Sequence, residues 1–249
     1  MPVISDPWFY AAAIPAVLLM GLSKSGFLMG FGSVATPLMA LSIAVPQAAA
    51  IMLPLLLVMD ATGVRQLWRE RDRELLKLLL PAALIGTVVG TLLFRLVPAK
   101  TVALVVGAIT LAFLAQRLLF PPRRDAPPPS KAAGFVLTIV GGFTSFVAHA
   151  GGPPIAAYTL PLKLEPIRLT ATLAVLMGAI NLSKWIPYAW LGLLDMRNLT
   201  TSLVLMPLAP LGVWAGVWAT RRLPADWFYR LAYAGMAATG GKLLYDGLV

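Results

Sequence analysis

Long apolar runs separated by short polar segments make up almost the whole chain. About 20 apolar residues span the hydrocarbon core of a bilayer as a helix, so this pattern predicts an all-α, polytopic bundle of membrane-spanning helices. The runs are Trp8–Leu22, Ser33–Val45, Ala48–Val64, Leu75–Leu96, Thr101–Leu119, Ala132–Ala148, Leu169–Leu191, Leu199–Ala219 and Trp227–Leu244.

The pattern of small residues occurs twice. At one fixed offset of 120 positions, Gly21, Ser25, Gly32 and Pro46 recur as Gly141, Ser145, Gly152 and Pro166. After a small shift, Pro81, Gly86, Gly90, Arg95 and Pro98 recur as Pro207, Gly212, Gly216, Arg221 and Pro224. We predict two homologous transmembrane repeats, residues 1–120 and 132–249, joined by a cytoplasmic Pro/Arg-rich linker, residues 121–131. The spaced glycine pairs are small-residue patches that let helices approach closely.

The first apolar segment of each repeat is broken by glycines. As one helix, Trp8–Val45 would be about 57 Å long at 1.5 Å per residue, too long for a single crossing. Each broken segment is therefore a hairpin that returns, or a crossing with an unwound middle. Unwound crossings give parallel halves, whereas returning hairpins give inverted halves.

Loop charges favour the inverted arrangement, because basic residues concentrate on the cytoplasmic side. Returning hairpins leave only four basic residues opposite the others and place both termini outside the cytoplasm. The fourteen that then share one side are Arg65, Arg69, Arg71, Arg73, Lys77, Arg117, Arg123, Arg124, Lys131, Lys163, Arg168, Arg221, Arg222 and Arg230. With parallel halves, eleven basic residues face seven.

Composition supports a membrane location. Hydrophobic residues are 59% and charged residues 12% of 249, against roughly 25% charged residues in soluble domains. The net charge of +10 comes mostly from loops, where Lys and Arg contact lipid headgroups, so we expect no nucleic-acid partner. There is no cysteine, which excludes thiolate chemistry and cysteine metal sites. The first apolar run lacks a preceding basic region, and we expect it to be retained.

Paired helix breaks in two halves of a membrane protein indicate a transport site. Helices that start near Ser33 and Pro153 would present free N–H groups and a partial positive charge, which favours an anion. Hydroxyls and ionisable groups accompany the breaks. The predicted substrate-binding residues are Ser23, Lys24, Ser25, Gly30, Gly32, Ser33, Thr36, Thr144, Ser145, His149, Gly151, Gly152, Pro153, Asn181 and Lys184.

Four ionisable residues fall at membrane depth, where a charge costs roughly 2.5 to 3.5 kcal/mol on insertion scales. Lys24 lies inside the first break, and the alternative to anion binding is that it snorkels to the interface. His149, the sole histidine, titrates near neutral pH and is the candidate for proton coupling; the alternative is a structural hydrogen bond. Asp60 is a further candidate, and the alternative is that it simply pairs with Arg65, five residues later near a helix end. Lys184 lines the cavity or faces headgroups.

These motifs resemble the TauE/SafE family of sulfite exporters, also called the sulfonate-uptake permease family. The resemblance covers essentially the whole chain. It rests on Gly30-x-Gly32 and Pro37 in the first half, and on Gly151–Tyr158, Arg168–Thr172, Asn181 and Lys184 in the second. It implies movement of sulfite or related sulfur-containing anions across the bacterial inner membrane, with the glycine motifs around the path. Ser33 stands where the family commonly has another glycine, and Lys24 and His149 depart from its pattern.

We therefore expect a secondary transporter, an exporter of sulfite or an organosulfonate, bound between the two breaks. The expected partners are the small oxyanion and the lipid bilayer, with a homodimer as one candidate assembly. We expect no metal and no cofactor. An anion channel is the first alternative. An intramembrane enzyme or assembly factor is the second, although the chain has no His-Glu-x-x-His, no Gly-x-Ser-x-Gly and no paired intramembrane carboxylates.

Overall fold

The computed structural model describes residues 3–25, 35–39, 42–43, 45–94, 96–119, 128–148, 150–190 and 195–248. Within these ranges the chain is helical with no strand, which confirms the all-α class. The helices are α1 Pro7–Lys24, α2 Ala35–Met39, α3 Val45–Leu67, α4 Arg73–Leu93, α5 Ala99–Leu119, α6 Lys131–Ala148, α7 Gly152–Thr159, α8 Pro166–Trp190, α9 Met196–Leu205, α10 Leu208–Arg222 and α11 Ala225–Leu248. Short 3-10 turns follow α3 and α7, at Trp68–Glu70 and Leu160–Leu162.

Three of the helices begin directly after an aspartate that caps the helix N-terminus. The Asp6, Asp72 and Asp195 carboxylates accept the free backbone N–H groups of α1, α4 and α9. A side-chain oxygen at this position satisfies a donor that has no partner within the helix. The segments between the apolar runs therefore also set where the helices start.

Three helical segments are long and apolar enough to cross a membrane: Ala50–Glu70, Arg73–Leu93 and Pro166–Trp190. A fourth crossing results if α9 and α10, which meet at a 46° bend, count as one span. Lys100–Gln116 and Lys131–Val147 are shorter apolar helices. The exposed side chains of α4 and α8 include large apolar groups such as Leu92 and Ile186, as expected of surfaces that face lipid.

The glycine patches lie where helices from the two halves pack. A Cβ added at Gly86 would lie 2.0 Å from the Ile139 carbonyl oxygen, so α4 contacts the backbone of α6 directly. A Cβ at Gly212 would lie 3.0 Å from the Leu18 carbonyl oxygen, so α10 packs almost as closely on α1. The predicted packing role of both patches is confirmed. In addition, α3 packs on α8 and α5 packs on α11.

Two sequence-based boundaries need comment. Residues 121–127 of the predicted linker lie outside the described residues, and Lys131, predicted as its last residue, is the first residue of α6. The first glycine break, residues 26–34, also lies outside them. The second break does not: α6 ends at Ala148 and α7 begins at Gly152, close to the predicted start at Pro153.

Candidate functional site

Three of the four predicted intramembrane charges meet in one polar network. Lys24 is the last residue of α1, Asp60 lies on α3, and Lys184 lies on α8 together with Asn181. Ser145, near the end of α6, completes it. The network therefore joins the helix that precedes the first break to the helix that precedes the second.

The first part of the network is a buried ion pair. Lys24 Nζ lies 2.5 Å from Asp60 Oδ1, and Asn181 Nδ2 donates to Asp60 Oδ2 at 2.6 Å. The Asp60 side chain is only 4% exposed and that of Lys24 14%. Both carboxylate oxygens thus have a partner, as a charge far from water requires. The alternative in which Asp60 pairs with Arg65 is wrong, because the ion pair of Asp60 is with Lys24.

The second part of the network contains a lysine with a different kind of partner. Lys184, 1% exposed, donates from Nζ to Ser145 Oγ at 2.7 Å and to Asn181 Oδ1 at 3.4 Å. Both acceptors are neutral. Among the described residues, no carboxylate lies within salt-bridge distance of this ammonium group. With ordinary ionisation, the network holds two positive charges and one negative charge.

Small residues bring α3 and α8 close enough for these contacts. A Cβ added at Gly178 would lie 3.4 Å from the Asp60 Cβ, and one at Gly63 would lie 3.6 Å from the Ala174 Cβ. Asn181 and Lys184 are three positions apart on α8, so they share one helix face. The amide of Asn181 therefore lies between the acid of Asp60 and the ammonium group of Lys184 where the two helices pack.

The turn after α6 is held by Thr144. Its hydroxyl is within hydrogen-bond distance of the Ala150 and Gly141 carbonyl oxygens, at 3.0 and 3.3 Å, while Ala150 N donates to the Thr144 carbonyl. Gly151 is buried, and a Cβ there would lie 2.6 Å from the Ser145 Cβ. Pro153 is buried in the first turn of α7. Thr144 and Gly151 thus shape the turn that supports Ser145.

The remaining predicted site residues fall into two groups. Gly30, Gly32, Ser33 and His149 lie outside the described residues, while Thr36 lies within α2. The other group consists of described residues that are not part of the network. Ser23 lies on the last turn of α1, and Gly152, the first residue of α7, is exposed. The buried Ser25 donates its hydroxyl to the Leu22 carbonyl oxygen, and its own carbonyl accepts from Thr220. Ser25 therefore ties the end of α1 to α10.

Sequence reasoning singles out Asp60 at membrane depth but leaves it out of the substrate site, because its partners on other helices are not predicted. Its signal lies in the repeat: Asp60 follows Pro46 at nearly the same interval as Asn181 follows the matching Pro166. Because α3 packs on α8, these two positions come together. An acid in an apolar run, with lysines in two other runs, therefore indicated a pairing across helices rather than within one.

The network is buried in this structure, since Asp60 and Lys184 are only 4% and 1% exposed. Two cavities lie elsewhere: one of 490 Å³ beside Trp68, Arg71 and Lys77, and one of 200 Å³ beside Glu165 and Arg221. Within the described residues, no group of three or more His, Cys, Asp or Glu side chains could hold a metal ion. Because Lys184 is only 1% exposed, a ligand reaches it only if neighbouring side chains or helices move.

Comparison with known proteins gives one match. A family model described as sulfite exporter TauE/SafE matches residues 13–243. Comparisons with curated proteins and with solved structures gave no significant match. The matched span includes all five residues of the network.

Proposed function

The chain belongs to the TauE/SafE sulfite exporter family, and from this we propose that it exports sulfite or an organosulfonate across the bacterial inner membrane. Family membership, together with several helices apolar enough to cross a bilayer, makes it a multi-pass membrane transporter. The substrate, the direction and the mode of coupling are parts of the proposal.

The observation that carries the substrate class is the buried Lys184. An ammonium group at membrane depth is costly unless it is paired, and among the described residues this one has only neutral acceptors, Ser145 and Asn181. An oxyanion would supply the missing negative charge. It would gain charge-assisted hydrogen bonds, each worth about 1.5 to 3 kcal/mol, from a group that is already held in position.

We propose that the two halves are inverted repeats with both termini outside the cytoplasm. Two ion pairs support this: Arg168 lies 2.8 Å from Asp72, and Arg221 lies 2.9 Å from Glu70. In the parallel arrangement these arginines would lie on the opposite side of the membrane from the segment that follows α3. Their pairing across the repeats instead fits the single cytoplasmic side predicted from the loop charges.

A returning hairpin at the second break follows from the same proposal. A Cβ at Gly141 would lie 2.6 Å from Ile155, and one at Gly134 would lie 2.3 Å from the Tyr158 ring. The later residue of α7 therefore contacts the earlier residue of α6, so the two helices run in opposite directions. This order supports a segment that enters the membrane and returns, with Ser145 near its tip.

Flux of radiolabelled sulfite into proteoliposomes tests the proposed function. Saturable uptake that shows counterflow, competed by sulfoacetate more strongly than by sulfate, is the expected result. Uptake that does not saturate and shows no counterflow would indicate the anion channel. Absence of sulfite flux, with hydrolysis of a lipid or peptide substrate, would instead indicate an enzyme. The burial of Lys184, which is 1% exposed, supports a carrier rather than a channel, because a channel needs a continuous open path to the anion site.

A further inference from the structure

We propose that Asp60 is an internal counter-anion whose protonation couples one proton to the binding of one substrate dianion. This inference rests on the proposed anion transport and adds its coupling group. The Asp60 carboxylate is held by Lys24 and Asn181, at 2.5 and 2.6 Å. It is thus the negative charge that already occupies the network, and a substrate anion must compete with it.

Asn181 connects Asp60 to Lys184, and chemistry fixes its orientation. An ionised carboxylate only accepts hydrogen bonds and an ammonium group only donates them. The amide nitrogen therefore faces Asp60, and the amide oxygen faces Lys184, as the contacts show. While Asp60 is ionised, Asn181 places an acceptor beside Lys184, and an acceptor there repels an anion.

Protonation of Asp60 reverses that orientation. A neutral carboxylic acid has one O–H donor, which the amide oxygen of Asn181 accepts after the amide rotates. The amide nitrogen then faces Lys184 and adds donors next to the ammonium group and the Ser145 hydroxyl. The proton on Asp60 thereby turns an acceptor-covered lysine into a site with three convergent donor groups, which suits the oxygens of a sulfite or sulfonate group.

The charge balance fits a dianion. Lys24, Lys184 and ionised Asp60 sum to one positive charge, so a bound dianion would leave one net negative charge in the membrane interior, where isolated charges are costly. One proton on Asp60 removes that excess. The proton and the dianion therefore enter together, and each cycle carries one net negative charge in the direction of the dianion.

The charged groups around Asp60 are few. From α1 it faces Lys24, and from α8 it faces Asn181 with Lys184 beyond. Other helices pack on α3, but their described charged side chains lie exposed at helix ends: Arg221 and Arg222 on α10, and Arg197 with the cap Asp195 on α9. Described α2 has no titratable residue, and Arg69 and Glu70 lie in the turn beyond α3.

Proton-driven sulfite accumulation tests the inference. Proteoliposomes with the membrane potential clamped at zero are placed in a medium ten times more acidic than their interior, and radiolabelled sulfite is added outside. Both solutions are kept alkaline enough that the label is almost entirely the sulfite dianion, and one-for-one coupling then sustains an accumulation ratio of about ten in the wild type. Asp60→Asn keeps the shape of the side chain but cannot change protonation. It should exchange sulfite at equal pH, yet accumulate it to a ratio of about one.

The controls separate the possible failures. Protein-free vesicles correct for leakage, and Asp246→Asn, which breaks a half-buried pair on α11 that is not part of the network, should accumulate sulfite like the wild type. Accumulation by D60N equal to that of the wild type would overturn the role of Asp60, since transported bisulfite alone would give that result. If D60N does not fold, K24M/D60N, which removes both charges, is judged in the same way. Absence of sulfite exchange by the wild type would instead refute the proposed function.

Discussion

The two halves bring opposite chemistry to the α3–α8 pair. The helix before the first break supplies a cation, Lys24, which meets the carboxylate of Asp60. The helix before the second break supplies only a hydroxyl, Ser145, which meets the cation of Lys184. In the first contact the positive and negative charges cancel, whereas in the second the positive charge of Lys184 meets only a neutral hydroxyl. The bundle thus places a neutralised charge pair beside an ammonium group whose described partners are neutral, and in the proposed function the substrate anion binds to this ammonium group.

Breaking the contact between Lys24 and Asp60 should cost the most stability. Lys24→Met leaves the buried Asp60 carboxylate with Asn181 alone, and loss of one partner of a buried pair costs about 3 to 5 kcal/mol. Thermal unfolding in detergent should show this as a clear fall in the melting temperature. The double variant K24M/D60N should recover part of the loss. Equal melting temperatures for K24M and the wild type would show that the pair is not a structural element.

A smaller loss of stability is expected at the two glycine-mediated helix contacts, α4 on α6 at Gly86 and α10 on α1 at Gly212. At Gly86 an added methyl group meets a backbone oxygen at 2.0 Å, whereas at Gly212 the nearest atom is 3.0 Å away. Overpacking costs about 1 to 3 kcal/mol, so Gly86→Ala should approach the upper end and Gly212→Ala the lower. Gly152→Ala, with no atom within 4 Å, is the control. A lower melting temperature for G212A than for G86A would contradict this packing.

The smallest effect is expected from removal of the Ser145 hydroxyl, which accepts a hydrogen bond from Lys184. Ser145→Ala removes one acceptor from Lys184, and a hydrogen bond contributes about 0.5 to 1.5 kcal/mol. The half-saturation concentration for sulfite should change by about two- to ten-fold. Ser183→Ala, which removes a hydroxyl bonded within α8 itself, should leave that concentration unchanged. A larger effect in S183A than in S145A would place the anion elsewhere.

Sequence reasoning reached the fold class and the family because both depend on patterns that the sequence itself contains. Apolar runs predicted helices, repeated glycines predicted close packing at Gly86 and Gly212, and Pro153 predicted the start of α7. It also selected Lys24, Asn181, Lys184 and Ser145 as site candidates. The structure joins Lys24 and Asn181 through Asp60, for which the sequence offered Arg65 as an alternative partner, and joins Lys184 and Ser145 to Asn181.

The missed pairing has a physical reason. Local spacing suggests partners within one helix, such as Arg65 for Asp60, but the partners of a buried charge depend on which helices pack together. That packing is set by glycines such as Gly178, whose small size matters only once α3 and α8 are known to be neighbours. In the same way, the Thr144 hydroxyl looked available for substrate until the turn to Ala150 placed acceptors beside it.

The most direct test of the central claim is sulfite counterflow in proteoliposomes that contain the wild type, Lys184→Met or Lys242→Met. The claim is that the Lys184 ammonium group holds the transported anion. Loss of one charge-assisted contact of about 1.5 to 3 kcal/mol should weaken sulfite affinity in K184M by about 10- to 150-fold. Lys242 pairs with Asp246 on α11, so K242M should exchange sulfite like the wild type. Counterflow by K184M at wild-type affinity would contradict the claim.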